Sequence, residues 1–140
     1  MLSWNEYVKK GSVRKIVVDK GVIKTLIEIA DKRIKVISKL GISEENSSIV
    51  FTNYYDSLRE ICDAICLLNG YKIYSHEAIG LYLRDFLKEQ AIFNKFDRFR
   101  ILRNGVNYYG KTIPFEVAKQ DIADIEKIIK ELKTKYLKTQ

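Results

Sequence analysis

The segment RFRILRNGVNYYG, residues 98–110, divides its side chains between two sides of a helix. At 100° per residue one side is apolar, formed by Phe96, Phe99, Leu102, Val106 and Tyr109. A polar stripe runs beside it, formed by Arg100, Arg103, Asn104 and Asn107. A helix that packs on a core needs only the apolar side. The polar stripe combines two guanidinium groups, which are always charged, with two side-chain amides, and this combination favours recognition of phosphate or carboxylate. It is equally typical of a solvated face or a salt-bridged seam.

The helical period of apolar residues recurs in other segments, and helix caps, glycines or the single proline separate these segments. One proline and seven glycines leave little turn chemistry for an all-β fold. We therefore predict an all-α fold, an up-and-down bundle of four to five helices preceded by a short N-terminal helix. It forms one domain over residues 1–140, with a core of about 15–137, and its first two long helices form an antiparallel hairpin. The predicted helices are 4–10, 19–40, 48–68, 77–90, 92–109 and 115–136.

The charge of the chain is moderately basic and unevenly distributed. The net charge of +7 permits an acidic partner such as RNA, but it is below that of a dedicated nucleic-acid binder. Residues 1–40 hold ten Lys and Arg against four Asp and Glu, whereas residues 41–70 hold one against five. This asymmetry suggests charge complementarity within or between subunits as readily as RNA binding. The frequent Lys, Ile and Glu are compatible with a thermophilic protein.

Several classes of protein lack support in the sequence. No apolar run approaches the roughly 20 residues that span a bilayer, and the N-terminus does not resemble a signal peptide. We expect a cytoplasmic protein without membrane association. Glycine-rich phosphate loops and hydrolase motifs are absent from the sequence. Cys62 and Cys66 lie one helical turn apart without a second pair of ligands, so we expect buried thiols, no metal and no cofactor.

His76 is the only histidine, and it directly follows Ser75, a predicted helix N-cap. That position favours a surface or packing residue in a first helical turn, with acid–base chemistry as the alternative. Without a neighbouring serine or cysteine of evident role, His76 belongs to no catalytic triad.

An acidic stripe on the second long helix is formed by Asp56, Glu60 and Asp63. These carboxylates could pair across the bundle with the arginines of residues 98–110, or form a solvated face near Arg59. Two tyrosine pairs, Tyr54-Tyr55 and Tyr108-Tyr109, lie near the two polar stripes. We expect one phenol of each pair in the core and the other free to donate a hydrogen bond or stack on a base.

Taken together, these segments resemble the HEPN domain family. The resemblance covers about residues 15–137: two long helices, GYKIYSH at 70–76, LRNGVNYYG at 102–110, and a long helix rich in Lys, Glu and Ile. Its most specific part is the Arg-Asn-x-x-x-x-Tyr-Gly pattern that begins at Arg103. The signature of the family is Arg-x(4–6)-His, often Arg-Asn-x-x-x-His.

The resemblance implies a site but leaves its chemistry open. Active HEPN proteins are metal-independent RNases that dimerise, which brings two signatures to a shared cleft. Others act beside minimal nucleotidyltransferases in toxin–antitoxin pairs, and others are non-catalytic. The family's Arg and Asn correspond to Arg103 and Asn104, but Tyr108 stands where the His is expected. A phenol with a pKa near 10 does not shuttle protons at neutral pH as an imidazole does.

Three functions follow from this comparison. The first is a non-catalytic, homodimeric HEPN module that binds RNA, a nucleotide or a minimal nucleotidyltransferase partner through Arg100, Arg103 and Asn104, with Asn107 beside them. The second is a metal-independent endoribonuclease in which Arg103 acts with Tyr108, or with a repositioned His76. The third is a structural bundle whose polar stripe forms interface salt bridges. The departure at Tyr108 favours the first.

Overall fold

The chain forms a helical bundle, seen in a computed structural model that describes residues 2–138. The helices are α1 (Trp4–Lys9), α2 (Lys20–Ser38), α3 (Ser47–Leu68), α4 (His76–Leu81), α5 (Gln90–Tyr109) and α6 (Phe115–Tyr136). The two short strands are β1 (Val13–Lys15) and β2 (Tyr71–Ile73), and a turn of π-helix covers Tyr82–Phe86. The predicted all-α bundle with a short N-terminal helix is therefore confirmed.

Side-chain caps determine where several helices begin. Ser3 Oγ accepts a hydrogen bond from the Glu6 amide at 3.2 Å, and the Glu6 carboxylate accepts one from the Ser3 amide, which completes a capping box. Asp19 Oδ1 caps α2 by accepting from two amides, and Ser75 Oγ caps α4 by accepting from the Ala78 amide at 3.2 Å. The caps predicted at Ser3 and Ser75 are confirmed.

Helices α2 and α3 form the predicted antiparallel hairpin. Ser57 Oγ donates to the Ala30 carbonyl at 3.1 Å near the middle of both helices. Ile37, at the end of α2, lines the same groove as Val50, at the start of α3. This hydrogen bond between α3 and α2 satisfies the Ser57 hydroxyl, whose burial without a partner would cost free energy.

The other long helices continue the alternating directions. Phe51 and Tyr55 of α3 face Phe99 and Phe96 of α5 with ring centroids 6.1 and 5.7 Å apart, so α3 and α5 are antiparallel. Helix α6 then returns along α5, because Glu89 meets Tyr136 while Arg98 meets Asp121. The bundle is thus up-and-down, with α3 at its centre.

A two-stranded antiparallel ribbon, β1 with β2, was not predicted. Its register pairs Val13 with Ile73, Arg14 with Lys72 and Lys15 with Tyr71. Three-residue strands have too few residues for a period-2 pattern, and their pairing joins distant parts of the chain. We call this element the β-ribbon.

The fourth predicted helix, 77–90, is wrong at its C-terminal end. Regular α-helix stops at Leu81, and the following turn widens so that the Leu87 amide donates to the Tyr82 carbonyl five residues earlier. Lys88 then adopts a left-handed φ of 58°, which turns the chain into α5. Phe86 follows the apolar period of the predicted helix, which predicts that it packs in the core, but it is 47% exposed.

Helix α2 is less buried than its apolar content predicts. Val22 and Leu40 follow the apolar period of the predicted helix 19–40, which predicts that they face inward, but they are 50% and 62% exposed. Ile29 and Val36, on the same side, are also exposed. Within residues 2–138 no helix is long and apolar enough to cross a membrane.

Candidate anion-binding site

The predicted polar residues of α5 line a cleft of about 350 Å³ beside the start of α4. Its walls are Tyr74, Ser75, His76, Glu77, Arg100, Arg103, Asn104 and Tyr108, which we call the arginine cleft. The cleft therefore unites four of the five predicted site residues with His76. Asn107, the fifth, is exposed on α5 and lies outside the cleft lining.

The β-ribbon and the cap of α4 position one wall. The Tyr74 amide donates to the Ser12 carbonyl at 2.8 Å, which extends the ribbon by one residue. Ser75 then caps α4, so His76 and Glu77 occupy its first turn. The other wall is the second half of α5, which ends at Gly110 with a left-handed φ of 63°.

Arg100 is already neutralised by protein carboxylates. Its Nε and Nη2 lie 3.1 and 2.9 Å from Asp97 Oδ1, and its Nη1 lies 3.5 Å from Glu77 Oε1. Glu77 also accepts a 2.5 Å hydrogen bond from the Tyr7 hydroxyl. Burial, followed by the hydrogen bond and charge of Glu77, raises the pKa of Tyr7 to about 12. Arg100 is therefore mainly a structural member of the cleft wall.

Arg103 is held differently, because its donors are poorly satisfied. Its Nε is buried and makes no hydrogen bond to any residue of 2–138, although Asp56 Oδ1 lies 4.0 Å away. Its Nη1 has only a long contact of 3.5 Å to Asn104 Oδ1. The guanidinium lies 5.9 Å from the ring of Tyr55 and 6.0 Å from that of Tyr108. Since buried donors are normally paired, the Nε that is unpaired among residues 2–138 sets Arg103 apart from Arg100.

His76 contacts the same group of residues. Its Nδ1 lies 3.0 Å from the Tyr55 hydroxyl. Burial, followed by the positive charges of Arg59, Arg103 and Arg100 in that order of effect, lowers the pKa of His76 to about 4. The imidazole is therefore neutral at pH 7.

Two neutral tautomers of His76 satisfy its bond to Tyr55, whose own pKa is raised by burial. In one, Tyr55 donates to Nδ1, and Nε2–H becomes a donor suited to a phosphate oxygen. In the other, Nδ1–H donates to the Tyr55 oxygen, and Nε2 becomes a base. The bonded pair can thus serve binding or proton transfer without moving.

The two tyrosine pairs do not divide between core and surface as expected. Tyr54 and Tyr55 are 3% and 0% exposed because α2, α5 and α6 surround α3 on most sides. Tyr108 and Tyr109 are 69% and 75% exposed at the end of α5. Tyr108 therefore forms an open edge of the arginine cleft.

The acidic stripe of α3 serves three separate partners. Glu60 pairs with Arg33 of α2 at 2.9 Å, and Asp63 pairs with Arg59 one turn away at 2.7 Å. Of the three, only Asp56 lies near Arg103, and it is outside the lining of the arginine cleft. The alternative that salt bridges occupy the polar stripe of α5 therefore fits Arg100 better than it fits Arg103.

Metal and thiol chemistry have no evident place among the described residues. No group of three or more His, Cys, Asp or Glu side chains within residues 2–138 could hold a metal ion. Cys62 and Cys66 are free and buried, as predicted. Burial raises the pKa of both thiols, which leaves them protonated and unreactive at neutral pH.

Sequence reasoning missed Tyr55 as the partner of His76, because the two residues lie 21 positions apart on different helices. It also missed Tyr74, whose position depends on the unpredicted β-ribbon. No protein-family model matches this sequence, and no curated protein matches it. The HEPN resemblance of residues 15–137 stays a hypothesis.

Proposed function

We propose that this protein is a HEPN-like module that binds a phosphate group of RNA or of a nucleotide in the arginine cleft. The observation that carries the proposal is the partly buried Arg103 side chain, whose buried Nε has no hydrogen-bond partner among residues 2–138, beside a histidine with a depressed pKa. A phosphate supplies the acceptors that this guanidinium lacks, and bidentate contact with it adds geometric specificity.

The local charge supports an anionic ligand. After burial, the positive charges of three arginines contribute to the lowered pKa of His76, so cationic side chains act on this part of the cleft. Asp56 offsets part of this charge, but at 4.0 Å it makes no hydrogen bond that a ligand must break. A cleft of about 350 Å³ is large enough for a phosphate with an attached sugar.

A homodimer belongs to the same proposal, and the exposed side of α2 supports it. Val22, Ile29, Val36 and Leu40 follow one another at spacings of seven, seven and four residues, as in a helix-packing seam. They are between 42% and 65% exposed, so this stripe of large apolar side chains is open to a partner. A minimal nucleotidyltransferase, as in a toxin–antitoxin pair, is the alternative partner for this module.

The double substitution Ile29→Glu with Val36→Glu is expected to convert a dimer into a monomer, because it places charges inside the apolar seam. Light scattering after gel filtration should show a mass of one 16.4 kDa chain. Lys24→Glu with Lys35→Glu, exposed on the same helix but off the stripe, is the matched control and should stay dimeric. A wild-type protein that is monomeric at all concentrations, or a double variant that stays dimeric, contradicts this assignment.

A metal-independent endoribonuclease is the second candidate, and the position of His76 favours it. Arg103 would stabilise the phosphate while His76 accepts the proton of the 2′-hydroxyl, whose oxygen bonds to the adjacent phosphorus. The bond from phosphorus to the 5′-oxygen breaks, and that oxygen leaves with a proton from water. The depressed pKa makes the free imidazole a weak base, but a bound phosphate would raise that pKa. Tyr108 is then a contact at the cleft edge rather than the proton acceptor expected from its place in the signature.

One assay with a fluorescein-labelled octauridylate in EDTA separates the two functions. We expect the wild type to bind the strand and leave it intact. Arg103→Gln should weaken binding by roughly 10- to 100-fold, the range for hydrogen bonds to a charged group. Lys127→Gln, an exposed residue of α6 with the same loss of charge, should change affinity less than about twofold.

The other outcomes are equally informative. Cleavage by the wild type that disappears in Arg103→Gln and in His76→Gln establishes the ribonuclease instead. If the wild type does not bind the strand even at low salt, or if Arg103→Gln binds as well as the wild type, the phosphate-binding proposal is refuted. Binding must be compared at one fixed ionic strength, since counterion release dominates such affinities.

A further inference from the structure

The outer face of the β-ribbon carries an unfavourable pair of charges. Arg14 and Lys72 are direct register partners, and both are exposed. Like charges opposite each other destabilise a strand pair. Within residues 2–138 neither cation takes part in an ion pair. Lys72 does influence the pKa of Asp63, but that carboxylate is already bonded to Arg59 at 2.7 Å.

An exposed aromatic ring lies against both cations. Tyr74 follows β2 directly and is two residues from Lys72, so the two side chains share the outer face. Arg14 Cζ and Lys72 Nζ lie 5.8 and 5.7 Å from the centroid of the Tyr74 ring. The side chain of Tyr74 is nevertheless 59% exposed, so much of the ring is open to a ligand.

The same ring also lines the arginine cleft. Tyr74 therefore joins two positive regions, the cleft with Arg103 on one side and the ribbon cations on the other. Alternation of phosphate-binding cations with an exposed aromatic ring is the arrangement by which proteins hold single-stranded nucleic acid. A base can stack on such a ring only when it is unstacked from its neighbours, which selects single strands over duplexes.

We propose that the outer face of the β-ribbon is the second half of a single-stranded RNA site. One base stacks on Tyr74, the phosphate on one side of it lies in the arginine cleft, and the next phosphate lies between Arg14 and Lys72. This inference rests on the proposed function and extends it from a single phosphate to a strand. The bound phosphate would also relieve the repulsion between the two facing cations.

The ring and the cations can be tested separately. Tyr74→Leu is expected to weaken binding of the labelled octauridylate by roughly 5- to 100-fold, the range measured for loss of one base–aromatic stack. Tyr74→Phe keeps the ring and should bind within about twofold of the wild type. Ribose 5-phosphate has the phosphate but no base, so Tyr74→Leu should weaken it less than it weakens the octauridylate, whereas Arg103→Gln should weaken both ligands.

Salt dependence reports the cations. Arg14→Gln with Lys72→Gln should lower the slope of log affinity against log salt by about 0.7, the contribution of the one phosphate that these two cations hold on a single strand. Lys127→Gln with Lys130→Gln removes the same charge from the exposed surface of α6 and should leave the slope unchanged. Circular dichroism of each variant checks that the fold is intact.

Failure of this inference is distinct from failure of the proposed function. If Arg103→Gln weakens both ligands while the ribbon variants bind the octauridylate like the wild type, the ribbon site is refuted and the cleft stands. If Tyr74→Leu has no effect but the double cation variant weakens binding, the occupant is an acidic chain that needs no stacking, and the base-stacking proposal is overturned. If neither ligand binds the wild type, the proposed function fails first.

Discussion

Phe96→Ala is expected to lower the free energy of unfolding by about 3–5 kcal/mol, the usual cost of removing a fully buried aromatic ring. Phe96 is 0% exposed and packs on Tyr55 of α3 with ring centroids 5.7 Å apart. It also lies under α4, where a Cβ built on Gly80 would stand 3.6 Å from Phe96 Cδ1. The ring thus joins three helices, and its loss leaves a cavity that they cannot close without separating from one another.

Urea denaturation followed by circular dichroism measures this effect. Ile101→Ala is the matched control, since it lies on the same helix but is 57% exposed and should cost less than about 0.5 kcal/mol. Because Tyr55 packs on Phe96 and is hydrogen-bonded to His76, the Phe96 variant should also disturb the position of His76 in the arginine cleft. Similar losses of stability in both variants would show that α5 is not anchored through this ring.

The pKa of His76 is expected to be about 4 in the free protein and to rise towards its ordinary value of 6.5 when the octauridylate binds. Burial holds the pKa down, and so do three arginines, whose charges a bound phosphate would offset. The chain has one histidine, so a single imidazole resonance in a proton NMR titration reports it without ambiguity.

The sign of the accompanying pH dependence follows from this shift. A pKa that is higher in the complex means that binding takes up a proton between the two values. Affinity should therefore increase as the pH falls from about 6.5 towards 4, a range in which the phosphodiesters keep a constant charge. His76→Gln is the control and should bind with little dependence on pH. A free-protein pKa near 6.5, or one that does not move on binding, contradicts the assignment of His76 to the cleft.

Much of the fold was predictable because helices are determined by local sequence. The predicted helix 115–136 agrees with Phe115–Tyr136, and the capping residues Ser3 and Ser75 were identified correctly. The prediction failed where local and tertiary preferences conflict. Apolar residues after Leu81 continue the helical period, yet the chain must turn into α5 there. A turn of π-helix and Lys88 with a left-handed φ therefore replace the last α-helical turns.

The candidate site was only half predictable. Periodicity placed Arg100 and Arg103 on one helical face, but it could not distinguish them. The difference lies in their neighbours: Asp97 and Glu77 bind the first, whereas Asp56 stays 4.0 Å from the second. A conclusion about which arginine is available requires these distances.

By itself, the sequence determined the long helices and the polar stripe of α5, because both follow from the spacing of residues along one segment. Only the tertiary structure decided that His76 and Tyr74 share a cleft with Arg103. The physical reason is that two non-local contacts create this arrangement, the pairing of β1 with β2 and the packing of α4 on α5. Neither contact leaves a periodic pattern in the segments that it joins.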